Sequence, residues 1–199
     1  MTRSRLPIYL MAITSVLIAI GSYRFLFLDM SLAFAGMIGH IDQRPIAFLI
    51  HISLAPVALV LGAYQMFRRQ NGSRGAVHRW LGRGYGLAIL ISGIAGLIIA
   101  IGAEGGMVAA AGFGLLSILW VTSTALAIRY AMARNITAHR RWMVVSFALT
   151  FAGVTLRVYL LGFVAAGFTY TEASPYLAWL CWVPNLVFAQ WWLGRRRTL

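Results

Sequence analysis

Four side chains in this sequence have the types and settings to do chemistry inside an apolar medium: His51, His78, His139 and Arg157. A neutral imidazole can ligate a metal or exchange a proton near neutral pH. A guanidinium held within hydrocarbon demands a counterion, a ligand oxygen, a polar pathway or a short snorkelling route. His51 falls in the apolar stretch PIAFLIHISLAPVALVLGAYQMF, roughly 9 Å along a helix from Pro45. His78 and His139 open two echoing segments, His78-Arg79-Trp80 and His139-Arg140-Arg141-Trp142, each of which leads into a long apolar run. Arg157 lies well inside the second of those runs, and His40 reads as a loop or supporting residue beside Asp42 and Arg44.

The named chemistry that best fits this set is haem b. Two neutral histidines from different helices can supply axial nitrogens, and nearby arginines can pair with propionates. His78 and His139 meet the requirement of equal depth, with Arg79, Arg83, Arg140 and Arg141 available for the propionates. Tyr85 follows His78 by seven residues and is expected to look into the same groove. His51 would ligate an outer haem, or serve a quinone or proton site beside Arg157, whose charge would stabilise an anionic group or a quinone oxygen. The single cysteine, Cys181, is not in a Cys-x-x-Cys-His sequence, so c-type attachment is excluded. Copper or zinc without haem is disfavoured, because the histidines are dispersed along the chain and the acids stand apart from them. Motifs of zinc hydrolases, serine hydrolases and P-loop enzymes are absent.

The elements that must carry these residues are membrane-length helices. Of the 199 residues, 61% are hydrophobic, with a mean hydropathy of +0.81, too apolar for a soluble domain of this size. The apolar runs predict an all-α polytopic transmembrane bundle with six spans, at residues 6–28, 45–67, 81–102, 107–129, 142–168 and 173–193. The first run is too long for a signal-peptide core and lacks a small-residue cleavage site, so it is retained as a span. Residues 29–44 are apolar but too short to cross, and are expected to form an interfacial or re-entrant segment.

The formal net charge of +13 comes from loops between apolar runs, which argues against nucleic acid and for a lipid bilayer with an anionic cytoplasmic leaflet. Arg3, Arg5, Arg68, Arg69, Arg74, Arg79, Arg83, Arg129, Arg134, Arg140, Arg141, Arg195, Arg196 and Arg197 all fall on one expected side. By the positive-inside rule that side, with both termini, is cytoplasmic, as for a bacterial inner-membrane protein. Asp29, Asp42, Glu104 and Glu172 all fall on the other.

The segments His51-x-x-Leu-Ala-Pro-x-x-Leu-x-x-Gly-x-x-Gln, His78-Arg-Trp-Leu-Gly-Arg-x-Tyr and His139-Arg-Arg-Trp-Met, followed by Thr155-Leu-Arg157, resemble a bacterial integral-membrane family, domain of unknown function 2306. The likeness covers roughly residues 45 to 160. It implies a polytopic membrane fold in which His51, His78, His139 and Arg157 matter together, and it carries over no reaction. The expected function is electron transfer by a haem b-binding, quinone-linked oxidoreductase with a separate redox partner. Two other classes stay open. One is a small-ligand or ion transporter with a His51–Arg157 outer site; the other is a structural or assembly protein whose polar layers only specify packing.

Overall fold

The computed structural model describes residues 6–33, 35–67 and 75–195, and every regular element among them is helical. Arg3, Arg5, Arg68, Arg69, Arg74, Arg196 and Arg197, all used above to assign sidedness, lie outside the described residues. In order, α1 is Leu6–Ser22, α2 Met30–Ala33, α3 Ile38–Gln43, α4 Pro45–Phe67, α5 Ala76–Ala100 and α6 Gly106–Met132. They are followed by α7 Ile136–Thr150, α8 Ala152–Ala165, α9 Tyr170–Leu180 and α10 Val183–Arg195.

Five helical stretches are long and apolar enough to cross a membrane: Leu6–Leu26, Pro45–Met66, Ala76–Ala100, Gly106–Met132 and Ile136–Ala165. The sixth expected span is broken at Cys181 and Trp182 into α9 and α10, each too short to cross alone. Pro184, the second residue of α10, cannot donate a backbone hydrogen bond, which suits it to a helix start and not to an interior.

α4, α5, α6 and α7 form a ring in which each helix packs on the next and α7 closes on α4. α1 lies outside against α4 and α8, α9 against α6 and α8, and α10 against α7. α5 supplies most of the centre: Tyr85, Gly86, Ala88, Ile89, Ser92, Gly93, Ala95, Gly96 and Ile99 are all buried and recur at helical spacing. Large apolar side chains such as Leu17, Ile20 and Leu87 remain more than half exposed, as expected where the surrounding medium is lipid.

Local chemistry sets the turns. α5 and α6 are joined through Gly105 and Gly106 at φ 91° and 77°, a left-handed conformation that a side chain would strain. Arg134 takes φ 57° after α6, and the Asn135 side chain accepts from Ala138 N at 3.0 Å to cap α7. Thr169 and Glu172 make a reciprocal capping box for α9. α5 and α7 begin five and six residues before the expected spans at 81 and 142, so His78 and His139 stand inside their helices.

Residues 29–33 and 35–44 fold as two short helices and a 3-10 turn laid over one end of the bundle. A Cβ at Gly36 would fall 2.7 Å from Tyr170, and one at Gly39 would fall 2.9 Å from Glu104 Oε1. Gly102 leaves room for the Arg44 guanidinium. These contacts gather Arg44, Glu104 and Tyr170 at one end.

Candidate functional site

At the opposite, basic end, two histidines are held by carbonyl oxygens. Gln65 Nε2 donates to the His78 carbonyl at 3.0 Å, which turns Gln65 Oε1 toward His78 Nδ1 at 2.6 Å. His139 Nδ1 lies 2.8 Å from the Ala127 carbonyl. A carbonyl oxygen can only accept, so each ring carries its proton on Nδ1 and a lone pair on Nε2. This is the arrangement in which a histidine ligates a metal, its second nitrogen oriented by a carbonyl.

Seven residues further along both helices the chain makes a direct crossing. Tyr85 of α5 reaches Ser146 and Thr150 of α7, each at 2.8 Å. Trp120 Nε1 donates to Thr150 Oγ1 at 2.8 Å, Thr124 Oγ1 meets Ser146 Oγ at 2.7 Å, and Thr124 Oγ1 donates to the Trp120 carbonyl at 2.8 Å. One consistent direction runs Trp120, Thr150, Tyr85, Ser146, Thr124 and back to the Trp120 carbonyl, with every hydroxyl donating once and accepting once. Thr150 has one further acceptor for its proton, the Ser146 carbonyl at 2.9 Å. All five residues are buried. Tyr85, expected to line a cofactor groove, has its hydroxyl wholly committed to this circuit.

Because His78 precedes Tyr85 by seven residues and His139 precedes Ser146 by seven, the crossing puts the two histidines at one level, about 10 Å toward the basic end. Seven residues return nearly to the same helix face, and from there the imidazoles turn to different neighbours, His78 to Gln65 of α4 and His139 to the Ala127 carbonyl of α6.

In the other direction along α5, the next layer contains His51. Its Nδ1 lies 2.9 Å from the Ser92 carbonyl and 3.2 Å from Ser92 Oγ, so its Nε2 also carries the lone pair. Gly96 makes this approach feasible: a Cβ there would be 3.0 Å from His51 Nδ1 and 3.1 Å from Ser117 Oγ. α4 continues through Pro56, and the carbonyl that His51 uses belongs to the neighbouring helix.

Arg157 occupies the same half as His51, which is within reach of its charge. It donates to the Gly153 carbonyl at 2.7 Å and to Ser22 Oγ at 2.9 Å, and among the described residues no carboxylate pairs with it. Ser22 passes its own proton to the Ile18 carbonyl at 2.8 Å. Arg24 and Tyr170 both act electrostatically on Arg157. The tight positions on α5 are taken by side chains, with Gly86 facing Ile128 and Gly93 facing Val121.

His40 is 2% exposed, stacks on Phe48 and has no hydrogen-bond partner for Nδ1. Burial holds its pKa below the ordinary imidazole range; Glu104 pulls it up and Arg44 pushes it further down. At the basic end Arg79, Arg83 and Arg140 are exposed and Arg83 lies over the Trp80 ring at 4.8 Å. Arg141 is half-buried and lines a different cleft, between α6, α7 and α10.

Two helix breaks face one another. Asn185 donates to the Ala148 carbonyl at 3.3 Å, to Thr155 Oγ1 at 3.1 Å and to the Cys181 carbonyl at 3.0 Å, and Thr155 also donates to Cys181. These bonds satisfy carbonyls left over where α7 gives way to α8 and α9 to α10, as backbone at membrane depth requires.

Of the residues singled out by sequence, His78 and His139 share a level, while His51 and Arg157 share another layer further along the bundle. No group of three or more His, Cys, Asp or Glu able to hold a metal ion is found among the described residues. Sequence reasoning left out Gln65 as the group that orients His78, Ser92 as the partner of His51 and Ser22 as the partner of Arg157. Each acts across helices, where spacing along one helix carries no signal.

The family described as "Predicted membrane protein (DUF2306)" matches residues 48–193, a stretch that holds His51, His78, His139 and Arg157. No curated protein and no solved structure matches the chain.

Proposed function

This chain belongs to the DUF2306 family of predicted membrane proteins, and we propose that it is a haem b-binding electron-transfer protein of a bacterial inner membrane. In this reading α9 and α10 together make a sixth, broken span, and both termini are cytoplasmic. The segregation of charge supports that orientation: the described basic end carries Arg79, Arg83, Arg129, Arg134, Arg140, Arg141 and Arg195 and no acid.

The observation that carries the proposal is the shared register of α5 and α7. The Tyr85–Ser146 hydrogen bond lies one heptad from His78 and His139, and each imidazole is oriented through Nδ1 by a carbonyl, the orientation in which Nε2 is the nitrogen that would ligate iron. When bound between them, haem b supplies one-electron chemistry. Gln65 and the Ala127 carbonyl fix the ring planes, while Arg79, Arg83 and Arg140 offer cations to the propionates. Arg141 is assigned elsewhere because it lines the cleft beside α10. His51 and Arg157 form a second polar layer that would suit a quinol head group: Arg157 would donate to one ring oxygen, and His51 Nε2 would accept the proton that a quinol hydroxyl releases as the quinol is oxidised. That layer would receive the electron donor.

Protein expressed in haem-replete cells and purified in detergent is expected to carry a Soret band that is lost in His78→Ala and in His139→Ala. Lack of the band both as isolated and after titration with haemin would overturn the proposal.

The paired helix breaks favour a second reading, a transporter of a small ligand or ion whose outer site is His51 and Arg157. Discontinuous helices that meet near mid-membrane are a recurring device for alternating access. Reconstituted transport that persists without haem and disappears in Arg157→Gln would select this reading over the first.

A further inference from the structure

A cleft of about 260 Å³ opens between α6, α7 and α10 at the basic end, lined by Tyr130, Arg141, Trp142, Val145, Gln190 and Leu193. We propose that it is a binding site for the phosphate headgroup of an anionic phospholipid, distinct from the histidine layers. Its assignment to the cytoplasmic leaflet rests on the orientation proposed above, whereas its chemistry does not.

The cleft is amphiphilic in a particular order. Arg141, half-buried and five residues into α7 from Ile136, offers a planar fork of donors that matches two phosphate oxygens. Gln190 of α10 and Tyr130 of α6 stand on the other walls and can donate to the remaining oxygens or to a glycerol hydroxyl. Val145 lies one further turn along α7 and Leu193 one turn along α10, supplying apolar surface for the start of an acyl chain. Trp142 brings the amphipathic ring that favours headgroup depth.

Charge selects the ligand's sign. All four acidic side chains of the protein, Asp29, Asp42, Glu104 and Glu172, belong to the other end, so Arg141 faces a cation-rich surface with Arg129, Arg140 and Arg195 nearby in sequence or on adjoining helices. An anion entering here meets attraction from every side and no competing carboxylate from the described residues. The volume suits a phosphodiester headgroup and falls below the ~300–1,000 Å³ usual for enclosed sites of drug-sized ligands.

The test uses the full chain purified from membranes of mixed composition, with retained lipid extracted and quantified by mass spectrometry. Wild type is expected to retain phosphatidylglycerol over phosphatidylcholine, and Arg141→Gln to lose about fivefold of that enrichment, the effect of one cation at a membrane surface. Tyr130→Phe, which preserves the packing ring, is expected to lose less. Arg134→Gln removes an exposed charge from the same end and is expected to leave retention unchanged. Equal losses in Arg134→Gln and Arg141→Gln would overturn the site, because they would mark diffuse surface attraction. Inorganic phosphate that displaces the lipid and stabilises the lipid-free protein as well as phosphatidylglycerol does would also overturn it, by identifying a free-anion site. None of these readouts requires haem.

Discussion

Two polar layers lie seven residues apart on α5, about 10 Å, and they end their hydrogen bonds differently. At Tyr85 the chain of donors begins and ends on one tryptophan, Trp120, and each hydroxyl is used in both directions. At Ser92 the chain stops: His51 is oriented through Nδ1, and the lone pair on Nε2 is left for something else. On the other side, His78 lies a heptad from Tyr85 and His139 a heptad from Ser146, and each is likewise oriented through Nδ1 by a carbonyl. A closed circuit has nothing to offer a ligand, and its work is to hold α5, α6 and α7 in register. The imidazoles on either side of it stand at positions that the circuit fixes, and in the proposed function those imidazoles carry the chemistry while the circuit is scaffold.

Breaking that division at its functional side should have the largest effect. His139→Ala and His78→Ala are each expected to abolish bound haem completely, read as Soret absorbance per protein, while helicity and elution behaviour stay those of wild type. Removing only the orienting group should do less. Gln65→Leu unlocks the His78 ring without touching it and is expected to weaken haem affinity on the order of 10–100-fold, measured by haemin titration.

On the scaffold side the readouts should exchange. Tyr85→Phe removes a hydroxyl partner of Ser146 in a buried layer, while Thr150 keeps Trp120 as donor and the Ser146 carbonyl as acceptor, and is expected to cost about 1–3 kcal/mol of stability in a reversible unfolding assay. At matched haem loading its spectrum should match wild type. A Tyr85→Phe protein of full stability but altered spectrum would move Tyr85 from the scaffold to the site.

The smallest effect concerns the covering segment around His40. Burial lowers its pKa, with Glu104 opposing and Arg44 adding to the shift, so the docked segment keeps its full stability above the ordinary imidazole pKa of about 6.5. That stability is lost as pH falls through the lowered value, because the undocked segment takes up the proton first. Amide exchange in residues 36–43, corrected for intrinsic rates, is expected to rise in that window in wild type and to stay flat in His40→Phe.

Much of this architecture was legible in the residues. α4 runs from Pro45 to Phe67 as read, since a proline suited to the first turn precedes an unbroken apolar run. α5 and α7 start early because His78-Arg79-Trp80 and His139-Arg140-Arg141 resemble loop by polarity while their helices continue into the interface. The sixth run was read as one helix. Its break at Cys181 and Trp182 depends on Thr155 and Asn185 taking up the freed carbonyl, a tertiary event beyond any single-helix pattern.

The candidate site divides in the same manner. Helical spacing aligns Ser146 with Thr150 and Tyr85 with His78, because separations of four and of seven residues keep a shared face. A hydroxyl at Thr124, met on one helix alone, points to a bond with its own backbone. It makes that bond and also closes the circuit through Ser146, which spacing on α6 alone does not reveal. Gln65 was visible as a polar face residue of α4, but its hold on His78 spans an interhelical connection and becomes apparent only in three dimensions.

The central claim, that imidazoles oriented by Gln65 and Ala127 meet a single iron across the ring, is tested most directly by electron paramagnetic resonance of the ferric, haem-loaded protein. A low-spin signal of two axial imidazoles in wild type, absent from His78→Ala and from His139→Ala, is the predicted result. A haem signal indifferent to both substitutions would contradict the account.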